Sequence, residues 1–319
     1  MSVASQSLME AARLAGCSPI ALFVYNRPEH TRATVAALAK NRLAADSDLF
    51  VFADAAANPA AQASVQAVRN YVRGIAGFRS VTVIERPENF GLARSIIEGV
   101  TGLCRQHGRV IVLEDDLLTS PYFLDFMNDA LDRYESQERV MQVAGYMFVG
   151  PLAAKDDALL LPFISSWGWA TWQRAWQHFD PQAAGYERLR NDAAMKAKFN
   201  LNGHYNYFRM LERQQRGMVD SWAIRWYLSV FVRDGLALYP RKTLVQNSGF
   251  DGSGVNCAVS DFPQDAMEPE FRVRSMPEEI TVSRHAAEVF RNMPVPRLRW
   301  RSIRNRLAGF LKSPQRAGR

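Results

Sequence analysis

The first 116 residues alternate between short apolar segments and segments with helical spacing, and this alternation limits the possible folds more than any other feature. Four segments have the composition of strands, at residues 19–26, 48–54, 80–87 and 109–116. The segments between them, at residues 29–40, 60–75 and 91–106, have the spacing of helices. Strands alternating with helices of this length form a parallel sheet covered on both faces. We therefore predict an α/β fold with a Rossmann-like, doubly wound, mostly parallel sheet.

Each predicted strand is followed by residues suited to binding a ligand. Sheets of this type bind ligands at the carboxyl ends of their strands. Those ends carry Asn26 and Arg27, then Asp54, then Glu88 and Asn89, and lastly the acidic triplet Glu114, Asp115 and Asp116. We predict that all of these side chains lie along one edge of the sheet.

The acidic triplet is the clearest indication of chemistry. It follows four apolar residues, and a helix is predicted soon after it, with Ser120 as N-cap, Pro121 as first residue and an end near Tyr134. Clustered carboxylates can hold a hard divalent cation, which prefers oxygen ligands and can bridge phosphates. A solvated acidic turn is the alternative, and the flanking strand and helix favour a site.

Several common active-site motifs are absent from the sequence. It contains no GxxxxGK[ST] phosphate loop, no GxGxxG fingerprint, no HExxH and no GxSxG. The three cysteines are far apart, which leaves no disulfide framework and no CxxC metal clip. The remaining interpretation is a metal-dependent nucleotide site without a phosphate loop.

With these motifs the chain resembles the GT-A glycosyltransferases over roughly residues 19–255, especially the family of N-acetylglucosaminyltransferase I and bacterial family 2-like glycosyltransferases. The segment "VLEDDLLTSPYFLDF" is close to the DxD-type motif of that family, often written EDD. The resemblance implies a nucleotide-diphosphate sugar as donor. It also implies Mn²⁺ (or Mg²⁺) bound through Asp116, with Asp115 and Glu114 in support.

The same resemblance implies roles for the other strand ends. Asn26 and Arg27 match the family's "NR", which contacts the nucleotide, and Asp54 matches an aspartate that reads the base. The segment "ENFGLARS" resembles the one that meets the diphosphate. Asn89 stands there where N-acetylglucosaminyltransferase I has a histidine.

The candidate catalytic base is Asp220, in "MVDSWAIRW". The family has a "DDW"-like motif before a helix, and Ser221 replaces its second acid here. In an inverting transfer one carboxylate takes the proton of the attacking acceptor hydroxyl. The alternative is that Asp220 is simply the N-cap of a helix over residues 220–235.

The aromatic segment "SSWGWATWQRAWQHF" predicts a helix over residues 168–179 with Trp169, Trp172 and Trp176 on one face. We expect Trp172 and Trp176 in the core. The pattern is equally compatible with two positions for Trp167 and Trp169, either in a wall of the sugar pocket or in the core. In the glycine-rich loop that follows at 247–256, Asp251 is a candidate site residue, and no metal ligand is assigned to the loop.

The net charge of +7 arises at the C-terminus. Residues 291–319 carry nine basic residues and no acid, so the rest of the chain has a net charge of −2. Apolar residues at helical spacing within 297–312 are typical of an amphipathic helix on an anionic membrane surface. A solvated charged tail is the alternative. Few aromatics interleave the arginines, which argues against nucleic-acid binding.

These observations predict a domain organisation and a location. We expect a GT-A domain at 18–255, with a nucleotide-sugar-binding half (18–117) and an acceptor half (118–255). An irregular arm (256–290) and a basic amphipathic tail (291–319) follow. The N-terminus has no signal-peptide pattern, so we expect a cytoplasmic protein whose tail attaches it to the inner face of the cell membrane.

The resemblance to the GT-A glycosyltransferases implies metal-dependent, inverting transfer of a sugar to a glycan or lipid-linked acceptor, in bacterial surface-polysaccharide synthesis. One alternative is a sugar-phosphate nucleotidyltransferase, but "VYNRPEHT" lacks the glycines of its signature. The other is a non-catalytic glycan-binding protein on a decayed transferase fold. Ser221 and Asn89 favour it, whereas the intact triplet and Asp220 oppose it.

Overall fold

The computed structural model describes residues 16–150, 152–253 and 264–293. The strands are β1 (Ile20–Val24), β2 (Asp48–Ala53), β3 (Ser80–Glu85), β4 (Arg109–Glu114), β5 (Leu117–Thr119), β6 (Val140–Ala144), β7 (Ala158–Leu161), β8 (Trp169–Trp172), β9 (Leu236–Pro240) and β10 (Val245–Asn247). The α-helices are α1 (Pro28–Ala39), α2 (Gln62–Val72), α3 (Gly91–His107), α4 (Phe123–Arg133), α5 (Gln173–Trp176), α6 (Tyr186–Asn191), α7 (Ala193–Phe199), α8 (Tyr207–Gln215), α9 (Trp222–Phe231) and α10 (Ala286–Asn292).

An eight-stranded sheet forms the centre of the molecule, in the order β3-β2-β1-β4-β8-β6-β9-β7. Strands β3, β2, β1 and β4 are parallel, and β6 is parallel to β9. Strand β8 is antiparallel to both β4 and β6, and β7 is antiparallel to β9. The predicted fold class, α/β with a mostly parallel sheet flanked by helices, is therefore confirmed.

Both faces of the sheet are covered, as the apolar character of β1 predicts. Ile20 and Leu22 belong to a core that includes residues of α1, α2 and α4. Ala21 and Phe23 belong to a second core that includes residues of α3. Because successive side chains of a strand point to opposite faces, a strand buried on both sides is apolar throughout.

The predicted helix over residues 168–179 is wrong. Trp169–Trp172 form strand β8, which pairs with β4 and β6, and only the single turn Gln173–Trp176 is helical. Trp169 is fully buried, and its ring stacks on that of Trp222 with centroids 5.0 Å apart. Trp172 and Trp176 are buried, which confirms their expected core position, and Trp169 is a core residue as well.

The predicted start of the helix after the acidic triplet is also wrong. Helix α4 begins at Phe123 with Tyr122 as N-cap, so Ser120 and Pro121 precede it. Strand β5 pairs with β10, and the Ser120 N–H donates to the Leu244 carbonyl at 2.9 Å. This two-stranded ribbon keeps the backbone extended through Ser120, so the helix begins later in the chain than predicted.

The arm packs on the domain in the part that the structure describes. Residues 264–285 contain neither helix nor strand, and the helix α10 follows them. The Tyr134 hydroxyl donates to the Pro277 carbonyl at 2.6 Å, and Val289 of α10 is buried in the core. Residues 294–319 lie outside the described residues, so the amphipathic tail stays a prediction. No helix among the described residues is long and apolar enough to cross a membrane.

Candidate functional site

The ends of β1 and β4 bring Arg27 together with two acids of the triplet. The strands are parallel neighbours, with Phe23 opposite Glu114, so the residues that follow them meet. The Arg27 Nη2 donates to Asp116 Oδ2 at 2.9 Å and also to Asp115 Oδ1, and Arg27 Nε lies 3.4 Å from Asp115 Oδ2. Asp115 and Asp116 are 4% and 5% exposed. Two buried carboxylates thus share one guanidinium.

The negative charge of the acidic triplet is only partly neutralised by the nearby Arg27. Burial raises the pKa of Asp115, and the Arg27 guanidinium only partly offsets that rise. Burial, followed by the negative charges of Asp116 and Asp115, raises the pKa of Glu114 to about 8. Because desolvation and like charges both disfavour ionisation, an added cation would stabilise the ionised cluster.

The carboxylates fit a divalent cation that takes its other ligands from a bound molecule. In the part of the chain that the structure describes, no group of three or more His, Cys, Asp or Glu side chains could hold a metal ion. Mg²⁺ is often bound through only one or two carboxylates together with substrate phosphates. Asp115 and Asp116 are suited to that mode of binding rather than to a cage made of protein alone.

The backbone of the acidic pair is held by hydrogen bonds from two other elements. Thr34 of α1 donates through its hydroxyl to the Asp115 carbonyl at 2.8 Å. Ser248, which follows β10, donates to the Asp116 carbonyl through its N–H at 2.8 Å and its hydroxyl at 3.0 Å. The short ribbon of β5 and β10 therefore ties the glycine-rich loop to the triplet.

Gly249 of this loop lies directly against the Asp116 carboxylate. A Cβ at this position would be 2.2 Å from Asp116 Oδ2 and 3.0 Å from Arg27 Nη1. His30 Nε2 lies 3.3 Å from the Ser248 carbonyl and 3.3 Å from Asp251 Oδ2. The loop thus contributes to the site through its backbone. In the sequence, the only sign of this contribution was the presence of glycines in the loop.

Asp54 and Asn89, for which separate contacts were predicted, form one hydrogen-bonded unit. The Asp54 carboxylate accepts from the N–H groups of Phe90 and Gly91, at 2.8 and 2.9 Å, and from Asn89 Nδ2 at 3.1 Å. Gly91 is the first residue of α3, and a carboxylate is stabilised at a helix N-terminus. Asp54 is buried, so this carboxylate positions α3 as well as the Asn89 side chain.

Asp220 is not the N-cap of the following helix, so that alternative is wrong. Ser221 is the N-cap of α9, and its side chain accepts from the Ile224 N–H at 3.4 Å. Asp220 Oδ1 accepts from Arg225 Nη2 at 2.6 Å, and the Asp220 side chain is 69% exposed. No hydrogen bond or ion pair within the described ranges joins Asp220 to the acidic triplet, and its role as base stays a prediction.

Trp167 lies beside the glycine-rich loop, whereas Trp169 lies in the core. The Trp167 ring contacts Tyr146, with centroids 4.5 Å apart, and Phe250, with centroids 5.5 Å apart. Phe250 directly follows Gly249, the residue that contacts Asp116. The Trp167 and Phe250 rings therefore lie beside the loop that contains Gly249. Asn26, the remaining predicted contact, lies partly buried between β1 and α1.

Comparisons with known proteins show a distant likeness to solved structures. No protein-family model and no curated protein matches the chain. The mannosyltransferase PcManGT from Pyrobaculum calidifontis, in complex with GDP-Man and Mn²⁺, is 11% identical over 72% of this chain and 81% of its own, with a TM-score of 0.39. S. aureus TarS is 12% identical over 71% of this chain and 36% of its own, with a TM-score of 0.35. Mouse xyloside xylosyltransferase 1, in its apo form, is 11% identical over 68% of this chain and 82% of its own, with a TM-score of 0.34.

Proposed function

We propose that the protein is a metal-dependent, inverting glycosyltransferase that moves a sugar from a nucleotide-diphosphate donor to a glycan or lipid-linked acceptor. The observation that carries this proposal is the buried pair of Asp115 and Asp116 at the carboxyl end of β4, bridged by Arg27 from the end of β1. A site of carboxylates at this edge of a parallel sheet suits a phosphate ligand that brings a cation with it.

The donor half of the proposed site comprises the ends of four parallel strands. Asp116, with Asp115 in support, would hold Mn²⁺ or Mg²⁺, and the bound ion would neutralise charge developing on the diphosphate leaving group. Arg27 and Asn26 follow β1 and would contact the nucleotide. The unit of Asp54 and Asn89, at the ends of β2 and β3, is the proposed base-binding side.

The acceptor half rests on Asp220 and on the aromatic surface beside the loop. The Asp220 carboxylate is exposed and would take the proton of the acceptor hydroxyl as that oxygen attacks the anomeric carbon. Arg225 holds this carboxylate in one orientation through the hydrogen bond to Oδ1. Trp167 and Phe250 offer apolar ring surface to a sugar, beside the loop that contains Gly249.

We further propose that the reaction takes place at the cytoplasmic face of the membrane, in bacterial surface-polysaccharide synthesis. The support for this location is the basic, amphipathic sequence of residues 297–312, which lies outside the described residues. Anionic lipid attracts such a segment through its arginines and accommodates its apolar side chains.

The function is tested by screening nucleotide-sugars for thermal stabilisation with and without Mn²⁺. A ligand that binds only the folded protein stabilises it by about 2.7 kcal/mol at a concentration of 100 times its Kd. We expect stabilisation by at least one nucleotide-sugar only when Mn²⁺ is present, and loss of it in Asp116→Asn. The control is Asp48→Asn, because Asp48 also pairs with an arginine, Arg79, but lies at the opposite end of its strand.

The outcome also separates the alternatives. A nucleotidyltransferase would be stabilised by a nucleoside triphosphate and would release pyrophosphate from it in the presence of a sugar phosphate. A glycan-binding protein would be stabilised by oligosaccharides and by no nucleotide-sugar. Either result would contradict the proposed function.

Gly249→Ala is expected to weaken Mn²⁺-dependent nucleotide-sugar binding by roughly tenfold or more, because misplacing a binding group by about 1 Å carries a large cost. The new Cβ would be 2.2 Å from Asp116 Oδ2, so either the carboxylate or the loop has to move. Isothermal titration calorimetry measures the affinity. The matched control is Gly102→Ala in α3, where a Cβ meets no atom within 4 Å, and unchanged affinity in Gly249→Ala would show that the loop has no part in the site.

A further inference from the structure

Arg27 occupies the carboxylates that the proposed function assigns to a cation. Its Nη2 group contacts Asp115 and Asp116 at once, and the side chains of all three residues are largely buried, at 14%, 6% and 7% exposure. Gly249 adjoins both Asp116 Oδ2 and Arg27 Nη1, so the loop packs against the ion pair. The Arg27 guanidinium is therefore already bound to both carboxylates of the acidic pair.

A divalent cation and the guanidinium repel each other when both lie on the same buried carboxylates. The repulsion is strong because charges interact more strongly in a partly buried site than in water. A diphosphate changes this balance, since its oxygens can accept from the guanidinium while they coordinate the cation. The guanidinium of arginine is planar and can donate two hydrogen bonds to a phosphate group.

We infer that Arg27 is the resident counter-ion of Asp115 and Asp116, and that a divalent cation binds tightly only together with a phosphate ligand that takes over the guanidinium. This inference rests on the proposed function, because it assumes that Asp116 is a cation ligand. It adds that Arg27 makes cation binding and diphosphate binding depend on each other. The site then retains little metal without its donor, because Arg27 already offsets part of the negative charge of the acidic pair.

The competing explanation is that Arg27 is a fixed brace that orients Asp116 for the metal. Both explanations expect a variant at Arg27 to bind the donor poorly. They differ in the affinity for Mn²⁺ alone. Removing a competitor strengthens Mn²⁺ binding, whereas removing a brace weakens it.

The experiment measures Mn²⁺ affinity by calorimetry, with and without inorganic pyrophosphate, in the full chain and in Arg27→Gln. We expect Arg27→Gln to bind Mn²⁺ alone about tenfold more tightly than the wild type, within the usual range of coupling between sites. We expect pyrophosphate to raise the Mn²⁺ affinity of the wild type about tenfold or more, and that of Arg27→Gln much less. Arg79→Gln, which removes the same charge at the other end of the sheet, controls for net charge.

Thermal melting provides a second readout that does not depend on the calorimetry. Arg27→Gln leaves buried carboxylates without their counter-ion, so its melting temperature is expected to fall. Saturating Mn²⁺ is expected to raise that temperature more in Arg27→Gln than in the wild type. If Arg27→Gln fails to fold, Arg27→Lys takes its place, because a lysine is a point charge that cannot form the two-pronged contact with both acids. Its affinity for Mn²⁺ alone is then expected to lie above that of the wild type.

The possible failures are distinguishable. Equal or weaker binding of Mn²⁺ alone by the Arg27 variant, with wild-type binding that disappears in Asp116→Asn, would overturn the counter-ion inference and leave the cation site standing. Mn²⁺ binding that does not respond to Asp116→Asn, with or without pyrophosphate, would overturn the proposed function and the inference with it.

Discussion

Asp116→Asn is expected to abolish Mn²⁺-dependent binding of the nucleotide-sugar, with a loss of affinity on the order of 10²-fold or more, because even residues that only support a metal ligand contribute 10–100-fold. The substitution keeps the size of the side chain in the narrow space below Gly249. It removes one of the two buried carboxylates that share Arg27, and Asp115 keeps its ion pair with Arg27. We therefore expect little change in the melting temperature.

Calorimetry with Mn²⁺ and the donor found by the nucleotide-sugar screen measures this affinity, and circular dichroism checks the fold. The control is again Asp48→Asn, whose carboxylate belongs to an ion pair far from the triplet in the sheet. Metal-dependent affinity that stays at the wild-type level in Asp116→Asn would show that Asp116 does not hold the cation.

Asp220→Asn is expected to lower the rate of sugar transfer by roughly 10²-fold or more, because the amide cannot accept the proton of the acceptor hydroxyl. The donor affinity and the melting temperature are expected to stay near those of the wild type. The reason is structural: Asp220 is 69% exposed, and the helix α9 is capped by the neighbouring Ser221 rather than by Asp220.

Ser221→Ala is the matched control for this prediction. It removes the N-cap of α9 and is expected to cost about 1 kcal/mol in the free energy of unfolding. Its transfer rate is expected to change far less than that of Asp220→Asn. Full transfer activity in Asp220→Asn, measured by release of the nucleoside diphosphate, would mean that another group takes the proton.

Local sequence pattern was sufficient for the first half of the fold. The first four strands and the three helices between them lie within a few residues of their predicted positions. Strand β1 and the central residues of β4 are apolar because helices cover both faces of the sheet there, so consecutive residues already indicate a buried strand. The same pattern predicted that Arg27 and Asp116 would share an edge, since parallel strands end together.

The segment of residues 168–179 shows where local pattern misleads. Trp169, Trp172 and Trp176 have helical spacing, yet the first two begin and end a strand. That strand forms because its backbone pairs with β4 on one side and β6 on the other. Pairing with strands from distant parts of the chain overrides local preference. A short segment of sequence does not show which strands it will pair with.

The sequence by itself determined the α/β fold class, the edge of the sheet at which acidic and basic residues meet, and the residue types available there. Only the tertiary structure decided which of them touch. Arg27 bridges two acids that lie 88 and 89 positions further along the chain, and Gly249 approaches Asp116 from a loop brought in by a separate ribbon. Such contacts depend on how distant segments pack, because a side chain acquires partners far along the chain only when the sheet and its loops have assembled.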